Sequence, residues 1–330
     1  MINNKKIAVI GTGRMGKIHI RVLSRLGVLC AISDVNEAEA KKISQEFNNV
    51  PYFKDYNEMI KKIKPNGVII ATPTFLHFTI AKDILNNYEL EGLLIEKPVS
   101  STLAEGMELQ EYIEKSGKKT KVTVGHIEVF NPVVTRMLQI FENGAIGELR
   151  TLIFQRRGAV SDGRLESIGD VFGDIGIHDF DIASRLLKGS FKLTAHSLKH
   201  SNIINSSTIT LYNEKSICSF HLSREYAGKK RQIEIEGTSG TMIVDLLDQY
   251  VTIRQLGIAK GDTKSITIPY GSGEIIKVYG EPLLEEIWQF IDTMDGAEPL
   301  VSIKDGLKGL KMIEAARESS EKGVSIDIEF

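Results

Sequence analysis

Cysteine is scarce in this chain: there are two in 330 residues, Cys30 and Cys218. Both fall inside apolar, strand-like runs, where free cysteine behaves as a small buried hydrophobe, so no disulfide framework is expected and a reducing cytoplasm fits. No run of about 18 apolar residues occurs, which excludes a membrane-spanning helix. The opening Met-Ile-Asn-Asn-Lys-Lys passes straight into an apolar run and leaves no room for a signal peptide. Neither sign of charge is in excess: 41 Lys and Arg against 43 Asp and Glu give a net charge of −2. The lysines are scattered among glutamates and form no stripe, so nucleic acid is not an expected partner. Internal repeats, low-complexity tracts and long linkers are also missing. What remains is a globular composition, 42% apolar and 25% charged. Its length exceeds one average core, so two domains are expected.

The stretch from Lys5 to Asp34 organises the rest. Ile7 to Ile10 form a short continuous apolar run that suits a strand buried on both faces of a parallel sheet. Gly11, Gly13 and Gly16 follow at once: the first permits a tight turn, the second lets a pyrophosphate approach the backbone, and the third lets the next helix pack closely. Ile18, Val22 and Leu26 keep one helical face, Gly27 closes the helix, and a second apolar run from Val28 ends in Asp34. A lone GxGxxG is weak evidence. Strand, helix, second strand and terminal acid in register make a complete dinucleotide fingerprint.

Helical spacing continues over Glu37 to Phe47 and Asp55 to Ile63. Val68 to Ala71 and Leu93 to Ile95 are further buried strands, ending in Thr72-Pro73-Thr74 and Glu96-Lys97-Pro98. Thr102 and Glu105 form a capping box for a helix closed by Gly117, and Lys121 to Val124 is one more strand. This alternation predicts a doubly wound parallel sheet with its ligand crevice at the carboxyl ends of the strands. The pattern changes after residue 124. Asn131 and Pro132 start a helix, Glu148 to Arg156 is a strand, and Asp170 to Leu187 is helical. Strands without intervening helices follow around Leu193, Thr208 to Tyr212, Ser216 to Leu222 and Gln232 to Glu236. Ile233 and Ile235 alternate with polar neighbours, which predicts an open sheet, mostly antiparallel, with one face on a core. Two helices close the chain, Leu283 to Met294 and, behind the capping pair Ser302 and Asp305, Gly306 to Ser320. The expected division is a dinucleotide-binding domain at 1–124 and a substrate-binding and oligomerisation α/β domain at 125–330.

Lys97 ends a parallel strand on the same edge as the glycine loop, where partial burial beside an oxidised nicotinamide would lower its pKa toward a useful range. Position alone also allows a snorkelling surface lysine. Asp174 and His178 are four apart in a helical pattern, a spacing at which a carboxylate can orient an imidazole. A helix cap and a core histidine are the plainer readings of the pair. No second histidine lies at helix-compatible spacing, so no metal is expected. Arg156 and Arg157 could meet a diphosphate or form a surface pair at a strand end.

Gly11-Thr12-Gly13-Arg14-Met15-Gly16, Ala71-Thr72-Pro73 with His77, Glu96-Lys97-Pro98, and Asp174 through His178 to Asp181 together resemble the glucose-fructose oxidoreductase, inositol dehydrogenase and MocA (Gfo/Idh/MocA) family. The match runs through Ser302 to Leu307. It implies that the residues of the first three groups up to Lys97 hold a nicotinamide dinucleotide; Asp34, with no arginine among Ser33, Val35 and Asn36, favours NAD over NADP. It further implies that Lys97 and His178 bind and deprotonate a sugar-like hydroxyl with Asp174 beside them, that the Lys97-Pro98 bond is cis, and that the open sheet makes a homodimer or homotetramer. Gly125 to Pro132, with Arg156-Arg157-Gly158 and Asp170-Val171, is similar to the UDP-N-acetylglucosamine 3-dehydrogenase branch; Ala159 to Gly163 stands where that branch usually carries prolines. On this resemblance Asn131, Arg156 and Arg157 join Lys97, Asp174 and His178 as substrate-binding candidates. Oxidation of a sugar or nucleotide sugar is the leading function, with a free polyol or monosaccharide as the alternative substrate. A non-catalytic NAD-binding sensor is the competing class.

Overall fold

Strand β1 (Ile7–Ile10) is buried at all four residues. In a computed structural model, which describes residues 5–160, 169–255, 257–259, 266–268 and 273–330, it leads into α1 (Arg14–Leu26) and β2 (Leu29–Ser33). Next come α2 (Glu37–Glu46), β3 (Tyr52–Phe53), α3 (Tyr56–Ile63), β4 (Gly67–Ile70), α4 (His77–Asn87), β5 (Gly92–Glu96), α5 (Leu103–Ser116) and β6 (Lys121–Gly125). Polar side chains cap three of these helices, and Thr102 does so as expected. Asn36 and Asp55 accept from the backbone N–H of Glu39 and Asn57, and Thr102 accepts from Glu105. Glu105 reaches back to the N–H of Ser101, one residue before the cap. Six parallel strands pair in the order β3-β2-β1-β4-β5-β6. Their order reverses between β1 and β4, and a ligand crevice opens at the carboxyl ends of strands flanking such a reversal.

Asn131 caps α6 (Pro132–Glu142), and β7 (Leu149–Gly158) follows. The helix expected over Asp170 to Leu187 is split: a π-helical turn, Phe172–Gly176, runs into α7 (Ile177–Leu186). Next are β8 (Ser190–His200), β9 (Ile203–Tyr212), β10 (Ile217–Ser223), β11 (Lys229–Gly237), β12 (Gly240–Asp245) and β13 (Tyr250–Gln255), then β14 (Gly257–Ala259), β15 (Ile266–Ile268) and β16 (Glu274–Lys277). The chain ends with α8 (Pro282–Met294), α9 (Ile303–Lys322) and β17 (Ile326–Glu329). Nine strands form the order β16-β13-β12-β11-β7-β10-β9-β8-β17, and β14 pairs with β15 separately. The β7–β10 pair is parallel and the other pairs are antiparallel. Phe154 and Phe220 stack on the buried face at 4.9 Å, and Phe180 of α7 meets Phe220 edge-on. Alternate residues, among them Gln155, Arg157, Ser219 and His221, occupy the other face.

Two compact units emerge, and each is discontinuous in sequence. One is the chain up to Ile127 with Pro282–Leu310; the other is Glu128–Glu281 with Lys311–Phe330. A single division after residue 124 assigns α8 to the second domain. The packing assigns it to the first, because Leu283, Ile287, Phe290, Ile291 and Met294 share a core with Ile7, Val9 and Leu94. Gly67 and Gly92 make that room, since a Cβ on either would stand 2.7 Å from Met294. Both cysteines are free, and burial pushes the Cys30 thiol up to about 12. Among the described residues no helix is long and apolar enough to cross a membrane.

The open face of the nine-stranded sheet carries exposed Tyr212, Ile217 and Leu198 among hydroxyl and imidazole side chains. An exposed apolar surface of this kind favours association with another copy. We therefore expect a homodimer or homotetramer by light scattering at micromolar concentration; a monomer only would contradict the expectation.

Candidate functional site in the dinucleotide-binding unit and beyond

The glycine turn at the end of β1 is shaped by close backbone approach. Gly11 has φ +96°, and a Cβ there would stand 2.6 Å from the Ala71 carbonyl oxygen, while one on Gly16 would stand 2.0 Å from the Gly11 oxygen. Nothing lies within 4 Å of a Cβ position on Gly13, so that glycine faces open space. Helix α1 starts there with no side-chain cap and no acid in its first turn, which leaves its N-terminal amides and dipole for an external anion. Asp34 braces the turn: its Oδ2 accepts from the N–H and hydroxyl of Thr12 at 2.7 and 2.8 Å, and its Oδ1 accepts from the N–H of Asn36. A cleft of about 540 Å³ is lined by Thr12, Gly13, Arg14, Lys17, Asp34, Asn36 and Glu39, with Lys17 engaged by Glu39 at 2.6 Å. These residues fit a dinucleotide: an open cradle for the phosphates and, beside it, a carboxylate for ribose hydroxyls.

At the end of β5 the Lys97-Pro98 bond is cis, as the resemblance implied. The half-buried Lys97 donates its backbone N–H to Glu96 Oε2 at 3.1 Å. Glu96 itself is buried, with His19 Nε2 at 2.6 Å from Oε1. His77 is buried between the carbonyl oxygens of Pro98 and Thr72, at 2.7 and 2.8 Å from its two ring nitrogens. The structure thus places Glu96 and His77 behind the strand ends, where they tie the turns, and leaves the exposed lining of the cleft to the glycine loop and Asp34.

In the second unit, Asp174 lies within the π-helical turn and His178 at the start of α7. Asp174 Oδ2 is 3.4 Å from Nη1 of Arg224, whose fully buried guanidinium also donates to Asn205. Asp170 holds the turn from the other side, accepting from the N–H of Gly173 and from Arg317 at 2.6 Å. Neither arginine was singled out from the sequence. Their partners are 50 and 147 residues away.

Three of the substrate-binding candidates have protein partners of their own. Arg156 is 2% exposed and donates to Asp179 at 2.9 Å and to Glu128 at 2.8 Å; Arg231 also donates to Glu128. Burial alone would raise Glu128, but Arg156 and Arg231 hold its carboxyl below the ordinary range, whereas burial keeps Asp179 raised. Arg156 is therefore part of a buried ion network. Arg157, one residue on, projects from the opposite face of the sheet, where it donates to Gln155 and stacks on Tyr226 at 4.7 Å. It lines a groove of about 400 Å³ with His196 and His221. Asn131 is buried, capping α6 and donating toward Leu246, so its polar atoms are committed. Of Ala159 to Gly163, residues 161–163 lie outside the described residues.

A glycine cradle at the reversal of a parallel sheet, an acid ending the next strand and a lysine at the end of β5 define a nicotinamide dinucleotide oxidoreductase. Residues 5–126 match the oxidoreductase family described as NAD-binding Rossmann fold, and residues 134–243 match the GFO/IDH/MocA C-terminal domain. The chain belongs to the Gfo/Idh/MocA family of oxidoreductases, and its first domain is an NAD-binding Rossmann fold. It is 25% identical to the myo-inositol 2-dehydrogenase of Thermotoga maritima, over 98% of each protein. The UDP-N-acetylglucosamine 3-dehydrogenase GnnA of Acidithiobacillus ferrooxidans shares the fold at a TM-score of 0.82 and 21% identity, covering 96% of this chain and 98% of that one. An Agrobacterium radiobacter oxidoreductase solved with NAD+, L-tartaric acid and magnesium matches at a TM-score of 0.81 and 20% identity, over 98% of each chain.

Two predictions follow from this geometry. Asp34 should repel a 2′-phosphate, so NAD should bind more tightly than NADP, and Asp34→Ala should lose that preference because Arg14 remains in the cleft. Titration with both cofactors checks this; discrimination unchanged in Asp34→Ala would contradict it. Arg156→Met should leave buried Asp179 without its ion-pair partner and Glu128 with Arg231 alone, and cost about 3–5 kcal/mol in denaturant unfolding, with NAD affinity unchanged. The Glu128 contribution is fully present above the ordinary carboxyl pKa and is lost as pH falls through the lowered one, so the deficit should shrink on acidification.

Proposed function

We propose that the protein oxidises a secondary hydroxyl on a sugar or polyol ring, with Lys97 and His178 handling the hydroxyl. The observation that carries this reading is Lys97 itself. It stands at the carboxyl end of β5, in the same sheet whose β1 and β4 ends form the glycine cradle, and its backbone is fixed by Glu96. NAD, when bound, supplies the hydride acceptor. A lysine ammonium at such a strand end can donate to the substrate oxygen as negative charge builds on it. Imidazoles change charge between about pH 5 and 8, so His178 suits the role of general base, taking the hydroxyl proton while the hydrogen on carbon leaves with its electron pair. Asp174 is tied to a buried guanidinium and so presents a carboxylate of fixed direction in the turn before His178. Together these residues support a dehydrogenase over a sensor, which has no need of proton-handling groups.

Two substrate classes have separate support. The segment from Gly125 to Pro132 and the shared fold with a UDP-N-acetylglucosamine 3-dehydrogenase favour a nucleotide sugar oxidised at carbon 3. A free cyclic polyol is favoured by the commitment of Arg156 and Arg157 to protein partners and by the full-length likeness to inositol dehydrogenases. A panel of UDP-sugars, inositols and free hexoses, assayed for NADH with a 2-oxoacid present to reoxidise retained cofactor, separates them. Lys97→Ala and His178→Ala should each lower turnover by roughly 10² to 10⁴ while binding NAD normally. Turnover with no member of the panel would contradict the dehydrogenase and support the sensor.

A further inference from the structure

Beneath the Lys97 turn lies a group of side chains that the proposed chemistry does not use. Among the described residues, His19 of α1, Glu96 of β5 and Glu286 of α8 each bring one nitrogen or oxygen within 4.8 Å of the others, and all three are buried. Glu286 is 0% exposed, and neither of its carboxyl oxygens has a hydrogen-bond partner. His19 Nδ1 is likewise unpartnered. A buried, unbonded carboxylate costs far more than a buried neutral acid, and two buried carboxylates this close cannot both ionise. Helix α8 packs against α1, β5 and β6. From α1 and β5 the titratable groups facing Glu286 are His19 and Glu96, with Lys97 and His77 acting on Glu96 beyond them. The charged residue of β6, Lys121, is engaged by Glu298 at 2.6 Å.

We infer that Glu286 is a proton-holding, positioning residue: a neutral carboxylic acid that leaves Glu96 as the single carboxylate of the cluster and thereby fixes the turn bearing Lys97. Its importance for turnover rests on the role proposed for Lys97; its protonation does not. A metal ion is a poorer occupant. Zinc ligands at about 2.0–2.2 Å from the ion stand about 3.3 Å apart, whereas His19 and Glu96 meet at 2.6 Å, a hydrogen-bond distance. Burial, then the charge on Glu96, raises Glu286 well above the ordinary carboxyl range, while burial is outweighed at Glu96 by His19 and Lys97, which hold it low.

The test uses the whole purified chain. At neutral pH the infrared spectrum should contain a protonated carboxylic C=O band that Glu286→Gln removes. The folded acid binds its proton more tightly than the unfolded one, so the stability it supplies is complete below the ordinary carboxyl pKa and is lost as pH rises through the raised one. The Tm of Glu286→Gln relative to the parent should therefore climb as pH increases from about 5. Glu286→Gln, neutral and of the same shape, should keep kcat within a few-fold, while Glu286→Leu should lose about 10²-fold in kcat with NAD affinity intact. A band unchanged by Glu286→Gln, a flat Tm difference, or one bound divalent metal per chain by elemental analysis would overturn the inference. Should Glu286→Leu fail to fold, the Glu286→Gln measurements still decide. Absence of turnover in the parent would sink the role of Lys97 while leaving the proton on Glu286 to the infrared result.

Discussion

The Gly11 carbonyl sits where a side chain on Gly16 would have to be, and the dinucleotide-binding unit is built outward from that contact. The 2.0 Å clearance brings α1 down onto the end of β1, aims its uncapped amides at the crevice, and lets Ala71 at the end of β4 close against Gly11. The reversal of strand order between β1 and β4 then becomes a cradle instead of a filled seam. Asp34 adds to this by bonding Thr12, so the carboxylate assigned to the ribose is held in place before any ligand arrives.

Charge in this protein is placed by burial as much as by pairing. Glu96 hydrogen-bonded to His19, and Arg156 paired with Glu128 and Asp179, are buried polar groups, each next to a candidate site residue in sequence. Such groups give little net stability, because desolvation offsets the attraction, but removing one member leaves an uncompensated charge. Their value is rigidity. Lys97 follows a glutamate that cannot move without breaking a 2.6 Å contact, and His178 precedes an aspartate locked to a guanidinium.

Much of the first unit was legible in sequence because each signal was local. The Ile7 to Ile10 run, the three glycines, the cap at Thr102, and Lys97 at a strand end all rest on neighbours within a few residues. Three kinds of feature were not legible. The return of α8 to the first core depends on space at Gly67 and Gly92, about 200 residues earlier in the chain. Strands β12, β13, β16 and β17 are short and amphipathic, so their pairing comes from register rather than composition. The partners of Asp170, Asp174 and Glu96 are remote in sequence, which periodicity cannot supply. The arginine pair is different, for a signal was present: adjacent residues on a strand face opposite sides, so Arg156 and Arg157 leave opposite faces of the sheet.

The central claim is hydride transfer from a ring carbon to NAD. A candidate sugar or polyol deuterated on its ring carbons, incubated with the protein and NAD, allows both products to be weighed by mass spectrometry. The account predicts NADH carrying one deuterium and an equal amount of the ring ketone lacking it. Reduced cofactor without deuterium, or a deuterated substrate recovered unchanged beside oxidised cofactor across the whole panel, would contradict it.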